Sequence, residues 1–176
     1  MPADPQDLVF DALTFDDDGC IPNNPELPLL LYSGALAPDA VSAAACESLF
    51  AANGWSGGWR NGIYGSHHFH SRAHEVLGIV CGRARVTFGG TKGKTVELTA
   101  GDVAVLPAGT GHKREDASAD LLVVGAYPGG MRFDTLWGDP LEHDEAVADI
   151  AHVPLPEADP VFGDAGPLIT LWRVKG

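Results

Sequence analysis

Between Trp59 and Tyr127 glycines cut the chain into short apolar runs, and this rhythm constrains the fold more than any other feature. The runs "HEVLGIV", "ARVTF", "TVELT", "DVAVLP" and "DLLVVGAYP" have the length and β-branched content of strands. The segments between them, "CGR", "GGTKGK", "AGD" and "AGTGHKREDASA", read as turns. Short strands joined by frequent turns predict an all-β architecture, an antiparallel sandwich or barrel.

Upstream, "DLVFDALTF" suits an edge strand or an N-terminal arm, and Leu29 to Tyr32 reads as a strand between Pro/Asn punctuation and Gly34. "APDAVSAAACESLFAANG" is the strong helix signal. Pro38 suits a first helical position, Val41, Ala45 and Leu49 recur at helical spacing, and Gly54 fits a C-terminal cap. Its small residues predict close packing against a sheet. Downstream, "PLEHDEAVADIA" suits a short helix, "HVPLPEADPVFGDAGPL" an extended tail and "ITLWRV" a final strand. The 176 residues hold no internal repeat and fit one domain: an arm and helix over 1–58, a barrel core over about 60–127 and a tail over 128–176.

A formal net charge of −13 argues against nucleic acid and against anionic membrane surfaces as partners. No apolar run approaches the length that spans a bilayer. Cys20, Cys46 and Cys81 are far apart and form no CxxC pair, so neither a thiolate zinc site nor a disulfide framework is indicated. Reduced thiols, and an acidic N-terminus without a signal-peptide core, make the cytoplasm the expected location.

The chemistry concentrates in "GSHHFHSRAHEVLGIVCG". His68 and His70 are two apart, so on a strand both imidazoles point to one face while His67 and Phe69 point to the other. An HxH pair alone is weak evidence, since a strand histidine is often only a packed or surface residue. Here an acidic residue opens the next strand. His74 and Glu75 are adjacent, and only one can share a face with the pair. The faces that go with them, Val76 and Val80 or Leu77 and Ile79, are both apolar, so periodicity does not choose. Chemistry leans to Glu75, because a carboxylate beneath an apolar strand is costly unless a cation neutralises it. His74 is then expected to face outward. "GDVAVLPAGTGH" offers His112 as a further ligand after a Pro/Gly-rich turn. Imidazole plus carboxylate suits Fe(II), Mn(II), Ni(II), Co(II) or Zn(II).

These two segments resemble the two motifs of the cupin superfamily. In the first, Gly62, His68, His70, Glu75 and Gly82 stand at the family's spacing; in the second, Gly101, Pro107, Gly109 and His112 do, with Asp116 where asparagine is usual. The resemblance implies a conical β-barrel of jelly-roll type, a double-stranded β-helix, here with one N-terminal helix and extended terminal arms. It also implies one divalent transition metal (Fe, Mn, Ni or Zn) held by His68, His70, Glu75 and His112, which resolves the choice between His74 and Glu75. "NGWSGGWRNGIY", "AHEVLG" and "GPLITLW" are further similar to the YjlB-type group of single-domain bacterial cupins.

An ion with these four ligands keeps open coordination positions, as catalytic rather than closed structural sites do. The expectation is a metal-dependent enzyme on a small, anionic molecule: a dioxygenase with iron, or an isomerase or decarboxylase with manganese, nickel or zinc. The alternative is a non-catalytic metal- and ligand-binding module. Arg60 and Tyr64 share the parity of His68 and His70 and are expected substrate contacts, unless a bulge near Gly62 or Gly65 breaks the count. The flanking segments "DLVFDALTF" and "ITLWRV" could extend a sheet across a homodimer.

Overall fold

The structure, a computed structural model, describes residues 4–173. Among them nine strands follow one another as β1 (Val9–Leu13), β2 (Leu29–Ser33), β3 (Trp55–Asn61), β4 (Glu75–Cys81), β5 (Arg83–Phe88), β6 (Lys94–Thr99), β7 (Val103–Leu106), β8 (His112–Ala117) and β9 (Leu122–Pro128). They form two antiparallel sheets, one in the order β1-β2-β7-β4-β9-β3 and the other β6-β5-β8. The result is an all-β jelly-roll barrel. The N-terminal strands are integral to it, since β2 pairs directly with β7 inside the larger sheet.

Strand alternation divides the core in two. On β4, Leu77 and Ile79 point between the sheets and meet Val86, Phe88 and Leu98 of the smaller sheet. Val76 and Val80 point the other way, onto Cys46, Phe50 and Trp172. The larger sheet is therefore covered on both faces, which is why both parities of β4 are apolar. The outer cover begins with α1 (Ala43–Ala52), capped by the Ser42 hydroxyl, which accepts from the Ala45 amide at 3.2 Å. Pro38 opens a separate 3-10 turn, Pro38–Ala40, so α1 starts later than its position suggested. Gly54, at φ +81°, follows the helix end as expected. Gly78 sets the approach of α1: a Cβ there would stand 2.7 Å from Cys46 Sγ and 2.9 Å from Phe50 Cζ.

In the C-terminal segment α2 (His143–Ala151) packs Ala146 against Ile21 and Phe69, and α3 (Pro167–Leu171) completes the outer cover. The strand expected at "ITLWRV" is thus a helix as far as Leu171, while Val174 lies outside the described residues. Pro167 starts α3 at a position where its missing N–H costs nothing, and Leu168 and Trp172, four apart, both reach the core. Over Ile169–Leu171 this segment offers no strand edge for a sheet to extend. Asp159 pins it to β2: the buried carboxylate accepts from the Tyr32 hydroxyl at 2.5 Å and from the amides of Val161 and Phe162 at 2.9 and 3.1 Å. The supposed turn "AGTGHKREDASA" also differs, because its central stretch, His112–Ala117, is β8. No helix among the described residues is long and apolar enough to cross a membrane.

Candidate metal centre

His68 and His112 lie opposite each other on paired backbones, joined by His68 N–H to His112 O at 3.2 Å and His112 N–H to His68 O at 2.9 Å. Phe69 makes a matching pair with Leu136, both bonds 2.9 Å, and buries its ring against Ile21 and Ala146. This short extended stretch is no regular strand. It still preserves the alternation that aims His68 and His70 inward and Phe69 outward. Glu75 begins β4 on the interior face. One ring nitrogen from each of His68, His70 and His112 lies within 4.8 Å of the others, and all three residues are buried. Glu75 closes the group, its Oε2 2.6 Å from His70 Nε2 and its Oε1 3.8 Å from His112 Nε2.

The hydrogen bonds behind the rings decide what faces the centre. His68 Nδ1 lies 2.9 Å from Ser66 O, His112 Nδ1 lies 3.1 Å from Thr110 O, and His70 Nδ1 contacts Asp134 O. A carbonyl oxygen only accepts, so each Nδ1 carries the proton and each Nε2 presents a lone pair to the centre. Burial holds His68 below the usual imidazole range and pushes His112 down to about 3. Burial also works against charge on His70, yet the Glu75 carboxylate outweighs it and raises the ring. For Glu75, burial opposes ionisation and the surrounding imidazoles, His70 foremost, prevail and lower it.

Glu75 Oε2 is buried without a hydrogen bond despite its proximity to His70. Ligand atoms about 2.1 Å from one ion sit about 3 Å from each other, so this spacing of lone pairs suits a shared cation. The donor set fits a divalent transition metal: three imidazoles, which bind a metal in their neutral form, and one carboxylate, with no thiolate nearby.

The turn that delivers His112 is clamped from three directions. Asn24 Nδ2 donates to Ala108 O at 2.9 Å, Gly111 N–H donates to Asn23 Oδ1 at 3.0 Å, and Ala108 N–H donates to His74 Nδ1 at 2.9 Å. Gly109 adopts φ +94° in this turn, and a Cβ there would stand 2.6 Å from Asn23 O. His74 therefore does not face solvent. It is buried on the outer face of the sheet, its ring 5.0 Å from that of Trp172, and burial lowers it to about 4. On the other side of the centre Asp134 accepts from the amides of Ser71 and Arg72 at 2.8 and 3.0 Å, and so holds the backbone that carries His70.

A cavity of about 500 Å³ opens beside the cluster, walled by Trp59, Ile63, Leu77 and Tyr127 and rimmed by Tyr64, Arg114 and Phe133. Tyr127 accepts from Trp59 Nε1 at 2.7 Å; burial, helped by the charge of Glu75, raises its hydroxyl far above the usual range, so it keeps its proton. Tyr64 lies at the mouth, its ring 5.2 Å from that of His68. Arg60 does not reach the cavity. Residues 62–67 are irregular, which interrupts the alternation, and Arg60 pairs with Glu47 on α1 instead. The cation of the lining is Arg114, two residues beyond His112 on β8. Strand parity would have signalled it, had "HKRED" been read as a strand.

A family model described as "Cupin domain" matches residues 59–125. A protein of Bacillus subtilis (strain 168), "Uncharacterized protein YjlB", is 42% identical over 158 residues, which cover 90% of this chain and 93% of that one. The chain belongs to the cupins, in the YjlB-type group. Among solved structures, this cupin is similar to a variant oxalate decarboxylase of Bacillus subtilis, with 19% identity and a TM-score of 0.36 over 64% of this chain and 24% of that chain. It is also similar to the DMSP lyase DddQ of Ruegeria pomeroyi DSS-3, with 15% identity and a TM-score of 0.37 over 76% of this chain and 52% of that one. The chain thus spans about a quarter of the decarboxylase chain and half of the lyase chain.

Proposed function

We propose that this cupin is a metal-dependent enzyme acting on a small anionic molecule, with one divalent transition metal (Fe, Mn, Ni or Zn) held by His68, His70, Glu75 and His112. One observation carries the reading: three buried imidazoles, each with its Nδ1 committed to a carbonyl oxygen, bring one ring nitrogen apiece within 4.8 Å of one another, and the buried Glu75 carboxylate lies 2.6 Å from His70 Nε2 and 3.8 Å from His112 Nε2. When bound there, the metal supplies a Lewis acid, or with iron a centre for dioxygen chemistry.

The chain's own groups would do the rest. His68, His70, Glu75 and His112 all border the adjoining cavity, which leaves room for a substrate beside them. Tyr127, protonated and oriented by the Trp59 indole, offers a hydroxyl next to Glu75 that can hydrogen-bond a substrate oxygen. Trp59, Ile63 and Leu77 keep bulk water from the wall. Dioxygenation, isomerisation and decarboxylation all remain within this chemistry, and the fold does not choose among them. The three free thiols suit a cytoplasmic setting. The exposed edge of β1, with Val9 and Phe10, suits pairing with a second copy.

Elemental analysis of the purified protein, followed by assay of a small-acid panel under air and under nitrogen, tests the reading. A stoichiometric metal with oxygen-dependent or oxygen-independent turnover supports it. A metal-loaded protein that binds members of the panel but changes none of them favours the non-catalytic module. Failure to retain any of the four metals removes the reading altogether.

A further inference from the structure

The cavity combines an apolar and aromatic wall, from Trp59, Ile63, Leu77, Tyr127 and Phe133, with the polar groups of the histidine cluster. Among the described lining residues Arg114 is the sole Arg or Lys and Glu75 the sole carboxylate. The other charged side chains of β8 have partners. Lys113 pairs with Glu115 at 3.4 Å and Asp116 with Arg83 at 3.9 Å. The Arg114 guanidinium forms no ion pair among the described residues, although the chain carries a net charge of −13. Gly65 makes room for it, since a Cβ there would stand 3.1 Å from Arg114 Nη2. An unpaired guanidinium, placed on the same strand face as a candidate metal ligand, is poised for an anion inside the cavity.

The rim is equally specific. Tyr64 and Phe133 at the cavity are 60% and 45% exposed, and Trp137, which is outside the lining but packs on Tyr64, is 53% exposed. Tyr64 and Trp137 pack 5.3 Å apart on the His68 side, whereas Phe133 stacks on Tyr127 at 4.6 Å on the His70 side. Exposed aromatic surface gathered at one mouth is unfavourable in water unless a ligand covers it.

We infer that the ligand of this cavity is an aromatic carboxylate, its carboxylate held by Arg114 and its ring covered by Tyr64 and Phe133 at the mouth of the metal centre. The inference rests on the cavity being the substrate site of the proposed enzyme, and names the substrate class. About 500 Å³ exceeds what a two-carbon diacid fills, and such a molecule would leave the apolar walls unused. Apart from the proposed metal, the lining offers one guanidinium and no lysine, which suits a monoanionic carboxylate better than a phosphate dianion.

The test measures binding of benzoate, benzamide, oxalate and phenyl phosphate by calorimetry, to zinc-loaded and to metal-free protein, with metal content read separately by elemental analysis. Benzoate is expected to bind more tightly than the other three. Loss of the Arg114 pair in R114Q should weaken benzoate about ten- to hundred-fold without changing zinc content, with R114K intermediate. Y64A and F133A should each weaken it about three- to ten-fold. Tighter binding of oxalate, benzamide or phenyl phosphate than of benzoate overturns the inference, as does R114Q binding benzoate like the parent. A protein that takes no zinc but shows the benzoate and R114Q pattern would sink the metal reading alone. One that takes zinc without that pattern would sink only the ligand class.

Discussion

Replacing Asn23 by alanine tests whether the N-terminal segment builds the metal centre through the turn before His112. The Asn23 side chain accepts from Gly111 N–H at 3.0 Å and donates to Gly89 O at 3.1 Å and to Asp16 O at 2.9 Å. It is 1% exposed and sits at φ +55°, a conformation asparagine tolerates and alanine resists. N23A would strand the Gly111 amide and the Gly89 carbonyl, at about 1–3 kcal/mol each, and add about 1 kcal/mol of backbone strain. The expected loss is therefore about 3–7 kcal/mol, a large part of the stability of an ordinary domain. Asn23→Gly should recover the strain alone, which separates backbone from hydrogen bonds. Because Gly111 immediately precedes His112, metal affinity should also fall, by about ten- to hundred-fold, as when a partner that orients a metal ligand is lost. Urea unfolding of metal-free protein gives the first quantity and competitive metal titration the second. A loss under 1 kcal/mol would refute the hydrogen-bond account. A full stability loss with unchanged metal affinity would refute the claim that this clamp aims His112.

Three further outcomes follow from the same structure. His70→Ala and His112→Ala should abolish stoichiometric metal binding, whereas His74→Ala should keep the metal but lose about 1–3 kcal/mol in urea unfolding by stranding the Ala108 amide; loss of metal only in His74→Ala would reverse the ligand assignment. Burial raises the Asp159 carboxyl against the pull of its donors, so the native state keeps that proton to higher pH than the unfolded chain. Its stabilising contribution is complete below the ordinary carboxylate range and disappears as pH rises through the raised value. Asp159→Asn should flatten that part of the stability–pH curve, and an identical slope in both proteins would contradict it. Gly78→Ala should cost about 1–3 kcal/mol in urea unfolding, because the added methyl presses on Cys46 and Phe50; a neutral effect would mean that α1 can shift outward freely.

Local periodicity made part of the site legible. Alternation over three residues sufficed to aim His68 and His70 together and Phe69 away, even though the segment is bridged rather than a regular strand. It failed for His74 and Glu75 because the larger sheet is buried on both faces, and the family resemblance, not the periodicity, selected Glu75. It failed for Arg60 because parity does not pass through the irregular residues 62–67. β8 escaped notice because its outward residues are charged and its glycine-rich approach reads as a turn. α3 escaped because Ile169 and Thr170 favour strands locally, while the core accepts Leu168 and Trp172 at helical spacing.

By itself, the order of residues determined the strand-and-turn rhythm, the pairing of His68 with His70 and the family to which both motifs point, since all of these depend on neighbours within a few positions. Tertiary structure alone decided that Asn23, Asn24 and His74 hold the turn before His112, that Asp134 holds His70, and that Arg114 rather than Arg60 enters the cavity. Those outcomes depend on which distant segments meet. Sheet order, bulges and the cover over each sheet face set such meetings, and no local period encodes them.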